Sequence, residues 1–179
     1  MHAFGLIRLK HLFNFFSSLF FIVLVCPNTA SSHMLNRSFA DLKIEIEGIS
    51  AQIDIHPGDF DETLRSRFDK DRSGNITYDE ILAHQKQLVA LTSAGFRIFR
   101  DDIRCTSTFQ KAKTSPASKT MRLYYWFACQ PGKNLRVEMP LLERMESKHA
   151  HFLTIRENNE FIATTLNPKN RVWQTPGAM

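Results

Sequence analysis

Apolar and polar residues alternate with a period of two where the patterned part of the chain begins. Leu42, Ile44 and Ile46 alternate with Lys43, Glu45 and Glu47, and beyond Gly48 the series resumes with Ala51, Ile53 and Ile55 against Gln52, Asp54 and His56. Two such runs meeting at a glycine predict a β-hairpin with one wet face. The period then changes. Pro57, Gly58 and Asp59 open a helix, with Asp59 and Glu62 at capping-box spacing, and Phe60, Leu64 and Phe68 follow at i, i+4 and i+8 as one apolar stripe. A second helix is expected from Thr77, which has Glu80 three residues on. Ile81, Leu82, Leu88, Val89 and Leu91 form its apolar side, and Gly95 ends it.

Strands return at Phe96. Phe96 and Ile98 flank Arg97; Leu123, Tyr125, Phe127 and Cys129 share one face, with Tyr124 and Trp126 on the other; Leu135, Val137, Met139 and Leu141 make another face. His151, Leu153 and Ile155 begin a further strand, residues 161–166 form one more, and residues 111–120 read as a polar loop. No internal repeat is present. Many short strands around one helical stretch predict an α+β chain, an antiparallel β-sandwich-like domain with a helix–loop–helix insert over residues 59–92.

Length and composition narrow the class. The chain has 179 residues, 43% hydrophobic and 23% charged, which fits a globular protein and excludes disordered, collagenous and coiled-coil chains. Residues 1–11 form a short basic head, and Leu12 to Val25 form an apolar run well short of the ~20 residues that cross a bilayer. With the small-residue stretch Pro27 to Ser32, these are the parts of a secretory signal peptide, assigned to residues 1–30 with cleavage after Ala30 or Ser32. Residues 31–179 are then a single β-rich domain, exported to the periplasm or beyond. The formal charge of +5 falls to 21 basic against 18 acidic residues once Arg8 and Lys10 leave with that segment. Lys111, Lys113, Lys119 and Arg122 read as a solvated basic loop, so no nucleic-acid partner is expected. Cys26 departs with the signal segment, and the remaining pair, Cys105 and Cys129, reads as one disulfide of an exported protein.

The strongest chemical pattern stands between the two helices: Asp69-Lys70-Asp71-Arg72-Ser73-Gly74-Asn75-Ile76-Thr77-Tyr78-Asp79-Glu80. Oxygen donors at positions 1, 3, 5 and 12 of a twelve-residue loop suit Ca²⁺, a hard cation that takes six to eight oxygens. Asp69, Asp71 and Ser73 offer side-chain oxygens, Asn75 its backbone carbonyl, Thr77 a ligand directly or through water, and Glu80 a bidentate carboxylate. Gly74 permits the turn at position 6, and Ile76 points to the core. This segment resembles the EF-hand family, which implies Ca²⁺ as the cofactor. Three carboxylates, with Lys70 and Arg72 beside them and no second loop, imply modest affinity.

A looser resemblance spans most of the chain after residue 30. The hairpin, the D-x-D-x-S-G loop, Cys105, the strand ending in Cys129, the run His149-Ala150-His151-Phe152 and the tail Leu166 to Trp173 together resemble the extracytoplasmic domain of HupE/UreJ-like membrane proteins. Asp69, Asp71, Gly74, Glu80, Cys105, Cys129 and His151 carry that likeness residue by residue. In that family the domain precedes membrane helices linked to nickel or cobalt handling. The present sequence carries no such helices up to Met179, so transport by this chain alone is not expected.

Other candidates read as structural. His149 and His151 fall on the same side of a strand and can hold a transition metal, but they more simply form a core or surface pair. Ser31-Ser32-His33 at a cleaved N-terminus could wrap Cu²⁺ or Ni²⁺, with a plain tail as the simpler account. Tyr124, Tyr125 and Trp126 read as core. No G-x-S-x-G, H-E-x-x-H or phosphate loop is present. The sequence thus predicts an exported, non-enzymatic calcium-binding interaction module. Its alternative is a periplasmic accessory component of a nickel or cobalt uptake system, acting with a membrane-protein partner.

Overall fold

The alternating run after residue 36 becomes two paired strands, β1 (Arg37–Glu45) and β2 (Gly48–Ile55), in antiparallel register with Leu42 opposite Ala51 and Ile44 opposite Ile49. The computed structural model describes residues 36–116, 119–158 and 160–176. The segment expected to be a signal peptide, Cys26 and His33 lie outside the described residues. Leu42, Ala51, Ile53 and Ile55 are buried as their alternation requires, whereas Ile46 stands fully exposed in the turn. Gly48 is needed there for space: a Cβ would collide with the carbonyl oxygen of Phe127 and lie 2.7 Å from the ring of Trp126.

The helical stretch is shorter and more broken than its pattern suggests. Pro57–Asp59 is a single 3₁₀ turn, and α1 covers only Glu62–Arg65. Its N-cap is Asp61, whose carboxylate accepts the Leu64 N–H at 2.8 Å, and not Asp59, which is buried. Phe60 precedes the helix in an extended bridge to Met145, yet Phe60, Leu64 and Phe68 are all buried. The stripe is real although most of it is not helix. After the loop come α2 (Tyr78–Ala83) and α3 (Gln85–Gly95), two helices where one was expected. They break at His84, whose ring packs edge-on against Phe68. Thr77 and Glu80 do form the expected capping box. Ile81 and Leu88 are buried and Leu82 is exposed, because the break rotates the apolar side.

The remaining strands are β3 (Arg97–Arg100), β4 (Ile103–Arg104), β5 (Thr106–Ser115), β6 (Thr120–Ala128), β7 (Leu135–Glu138), β8 (Ala150–Glu157), β9 (Glu160–Leu166) and β10 (Val172–Gln174). They form a six-stranded sheet in the order β5-β6-β2-β1-β8-β9 and a four-stranded sheet in the order β10-β7-β3-β4. Two expectations need correction. Residues 111–120 are not a loop: β5 runs to Ser115, because Lys111, Ala112, Lys113 and Thr114 pair with β6. The large sheet is also not wholly antiparallel, since β1 and β8 run parallel, with Ser38 beside His151.

One core joins both sheets and the helices. It contains Leu42, Ile49 and Ile53 from the hairpin, Leu123, Tyr125 and Phe127 from β6, Ile98 and Val137 from the small sheet, and Phe60, Phe68, Ile81 and Leu88 from the helical stretch. Tyr124 and Trp126 lie on the outer face, half-buried, so of the three aromatics only Tyr125 is core. Cys105 and Cys129 are disulfide-bonded, with Cα atoms 4.5 Å apart. Cys105 sits where the chain passes from β4 of the small sheet to β5 of the large one, so the bond pins that crossing to the end of β6. Closing a loop of 24 residues stabilises by about 3 kcal/mol on the chain-entropy argument.

Candidate metal centre

The loop that joins α1 to α2 leaves Phe68, which is anchored by stacking on Phe60 at 5.6 Å between ring centroids. It returns at Ile76, which is buried as its position requires. Between these anchors the backbone must reverse sharply. Arg72 and Gly74 take positive φ, at 56° and 79°, and a Cβ at Gly74 would meet nothing, so the glycine serves conformation rather than space.

The reversal brings carboxylates together. One oxygen each from Asp69, Asp71 and Glu80 lie within 4.8 Å of one another. Backbone amides hold them in place. Asp69 accepts the N–H groups of Ser73 at 3.0 Å and Gly74 at 2.8 Å, and Asp71 accepts that of Ser73 at 2.9 Å. Glu80 reaches back across the loop to accept the Lys70 N–H at 2.7 Å and, with its other oxygen, the Thr77 N–H at 2.8 Å. Hydrogen bonds from the Ser73 side chain and backbone draw the Asp71 carboxyl below the ordinary carboxylate range, and bonds led by the Thr77 amide do the same for Glu80. Asp71 and Glu80 are therefore held in their charged form at neutral pH. Among the described residues no ion pair involves any of them; Lys70 and Arg72 do not neutralise the cluster.

The other three predicted donors stand close by but in different roles. Ser73 Oγ donates to the Asn75 carbonyl at 3.0 Å, so the two oxygens already stand at about the separation of neighbouring ligands on one Ca²⁺. The Thr77 hydroxyl donates to Glu80 Oε2 at 2.8 Å and accepts the Glu80 N–H at 3.3 Å, which makes it a helix cap first. The donor set is all oxygen and rich in carboxylates, which suits a hard divalent cation and not a soft one.

A second polar cluster escaped the sequence. Ser38 Oγ stands 2.7 Å from His149 Nε2 and 2.6 Å from His151 Nδ1, and His149 Nδ1 faces Asp59 Oδ2 at 3.7 Å. The connectivity is that of an Asp–His–Ser triad. Burial removes that chemistry: Ser38 and His149 are 1% exposed and His151 0%, so no substrate reaches the hydroxyl. Asp59 Oδ2, His149 Nδ1 and His151 Nε2 have no hydrogen-bond partner. The arrangement that strands no N–H on His151 has its Nδ1–H donate to Ser38, Ser38 donate to His149 Nε2, and His149 Nδ1–H point at Asp59. His149 and His151 thus share a face as expected, but both are engaged by Ser38 in the core. The spacing of the two histidines was the only signal available; Ser38 and Asp59 join them through the parallel β1–β8 pairing and the bridge of Phe60 to Met145.

No protein-family model matches the chain, and no curated protein matches it either. Among the described residues, no helix is long and apolar enough to cross a membrane.

Proposed function

We propose that this chain is an exported, non-enzymatic calcium-binding protein whose Asp69–Glu80 loop is a single EF-hand site stabilising the helical insert. The observation that carries this reading is the convergence of Asp69, Asp71 and Glu80 within 4.8 Å with no cationic side chain paired to them. Three like charges so placed repel, and a divalent cation at their centre removes the repulsion. Asp69, Asp71 and Glu80 would hold the ion with the Ser73 hydroxyl and Asn75 carbonyl, while Thr77 holds the start of α2. Export accords with the Cys105–Cys129 disulfide and with the short apolar run at Leu12 to Val25. The engagement of His149 and His151 with Ser38 takes from the nickel or cobalt reading the ligand pair on which it leaned.

Calorimetry and hydrogen exchange test the proposal. For an extracellular-type site with Kd about 10⁻⁴ M in 1 mM Ca²⁺, binding adds about 1.4 kcal/mol to stability. We expect Ca²⁺ to raise Tm by a few degrees and to protect amides in residues 59–92 far more than those in the strands. Glu80→Gln should abolish both effects. Glutamine still completes a capping box, so that variant removes the charge without removing the cap. Equal calcium responses in the two proteins would refute the site.

A further inference from the structure

The two edges of the six-stranded sheet are built differently. At one edge, β5 carries Lys111 and Lys113 and shifts register between Phe109 and Lys111, devices that discourage another strand from adding. At the other edge, β9 has none of them. It pairs with β8 without a shift from Glu157 opposite Glu160 to His151 opposite Leu166, and contains neither lysine nor proline. Phe161 is 73% exposed and Ile162 43%. Among the described residues no strand pairs with the far side of β9.

The backbone of that edge is self-complementary. The β8–β9 hairpin closes on Glu157 and Glu160 across two residues, and the closing pair of a two-residue hairpin exchanges both its hydrogen bonds. By alternation Ile162, Thr164 and Leu166 turn their N–H and C=O groups to β8, and Phe161, Ala163 and Thr165 turn theirs outward. Three outward residues spaced by two have a centre, Ala163. An antiparallel copy rotated about that centre sets Ala163 against Ala163 and Phe161 against Thr165, satisfying about six backbone groups on each strand. Charge favours the same arrangement. Glu157 and Glu160 stand at one end of β9 and Lys169 follows its other end, so antiparallel pairing brings the acidic end of one copy to the basic end of the next.

We propose that β9 is a dimerisation edge, pairing antiparallel with β9 of a second copy of this chain about a two-fold axis at Ala163 to make one continuous twelve-stranded sheet. The partner is the chain itself because the outward groups, the exposed Phe161 and the end charges all match under that one rotation.

Sedimentation of the purified protein at concentrations up to about 200 µM tests this directly. The wild type should dimerise. Ala163→Lys sets two ammonium groups directly opposite each other and should weaken the dimer at least about tenfold, as should Ala163→Asp, and an equimolar mixture of the two should restore it. Cysteine crosslinking serves should a charged variant lose its fold. Paired Cα atoms at Ala163 would lie about 5.5 Å apart, within disulfide reach. Copies of Glu160 would lie about 20 Å apart. Ala163→Cys should therefore give a covalent dimer under mild oxidation, and Glu160→Cys should not. A wild type that stays monomeric, a dimer indifferent to Ala163→Lys in a folded protein, or equal crosslinking through both cysteines would overturn the proposal.

Discussion

Two clusters of ionisable side chains flank the stacked rings of Phe60 and Phe68, and they solve opposite problems. The loop cluster, Asp69, Asp71 and Glu80, is drawn from twelve consecutive residues, lies at the surface with Asp71 exposed, Glu80 half-buried and Asp69 nearly covered, and is held by amides of its own loop. The core cluster, Asp59, Ser38, His149 and His151, is drawn from three distant segments and lies out of water. Hydrogen bonds at the surface hold Asp71 and Glu80 in their charged form, and such bonds can be exchanged for an ion. Imidazoles in the core keep neither charge nor freedom. Their burial lowers His149 to about 4 and, with His149 alongside, His151 to about 3, while burial and the nearby Glu146 raise Asp59 to about 7. One cluster is disposed to respond to a ligand, the other to acidity.

Acid should produce the largest effect. An unfolded chain protonates both histidines below about pH 6.5, whereas the folded one leaves them neutral until pH falls to about 4 and 3. That difference favours unfolding as pH falls. Asp59 opposes it, because the folded state binds its proton from about pH 7 down and the unfolded state only near 4. Between pH 4 and 6.5 the unfolded chain therefore holds two of these protons and the folded chain one. A net uptake of one proton over about 2.5 pH units costs roughly 3 kcal/mol. His56, lowered by burial and by Lys119, acts in the same direction, as does Glu80, lowered by its hydrogen bonds, at the acid end of that window, while Asp61, lowered by its bond to Arg144, contributes mainly below it. Urea titrations at pH 6.5 and pH 4 check this. Equal stability at the two values would mean that the folded chain takes up as many of these protons as the unfolded one, and that the histidines are not both held neutral to pH 4.

Ser38→Ala comes next. It removes the hydroxyl that serves both imidazoles and leaves His149 Nε2 and His151 Nδ1 without it. No tautomer of His151 then has a partner for its N–H, because its Nε2 has none either, and a buried donor left unsatisfied costs about 2 kcal/mol. The cost should appear in global unfolding and should be the same with or without Ca²⁺, because Ser38 touches nothing in the loop. A calcium response that vanished in Ser38→Ala would join two clusters that we treat as separate.

The same contrast decides what could be read from the sequence. The loop was legible because its chemistry is contiguous: spacing alone brings Asp69, Asp71 and Glu80 together and demands Gly74 between them. The hairpin and the faces of β6 and β7 were legible because period two survives whatever the strands pair with. What failed depended on tertiary partners. Asp59 has the spacing of a cap, but the bridge of Phe60 to Met145 keeps the chain extended there and hands the cap to Asp61. The helix that ran through His84 is broken where its ring meets Phe68. Residues 111–115 look like a polar loop because β5 is an edge strand with its lysines in water. The Ser38–histidine contacts need the parallel β1–β8 pairing, which no local pattern announces.

The smallest effect separates the two tasks of Thr77. Its hydroxyl caps α2 and bonds Glu80, whose carboxylate also closes the loop at Lys70. Thr77→Ala removes the cap and should lower metal-free stability by about 1 kcal/mol, the usual cost of losing a threonine N-cap. The helix it starts is short and largely in water, and only Ile81 of its six residues is buried, so the loss should stay local. Amides in residues 77–83 should exchange faster while those of β1, β2 and β6 stay as they were. Calcium binding should weaken only slightly, because the three carboxylates remain and Glu80 gives up just one of the bonds that orient it. Hydrogen exchange with and without Ca²⁺ reads both quantities in one experiment. Faster exchange across the strands would show that the helical stretch supports the sheet as much as the sheet supports it, and the division between a responsive loop and a committed core would then fail.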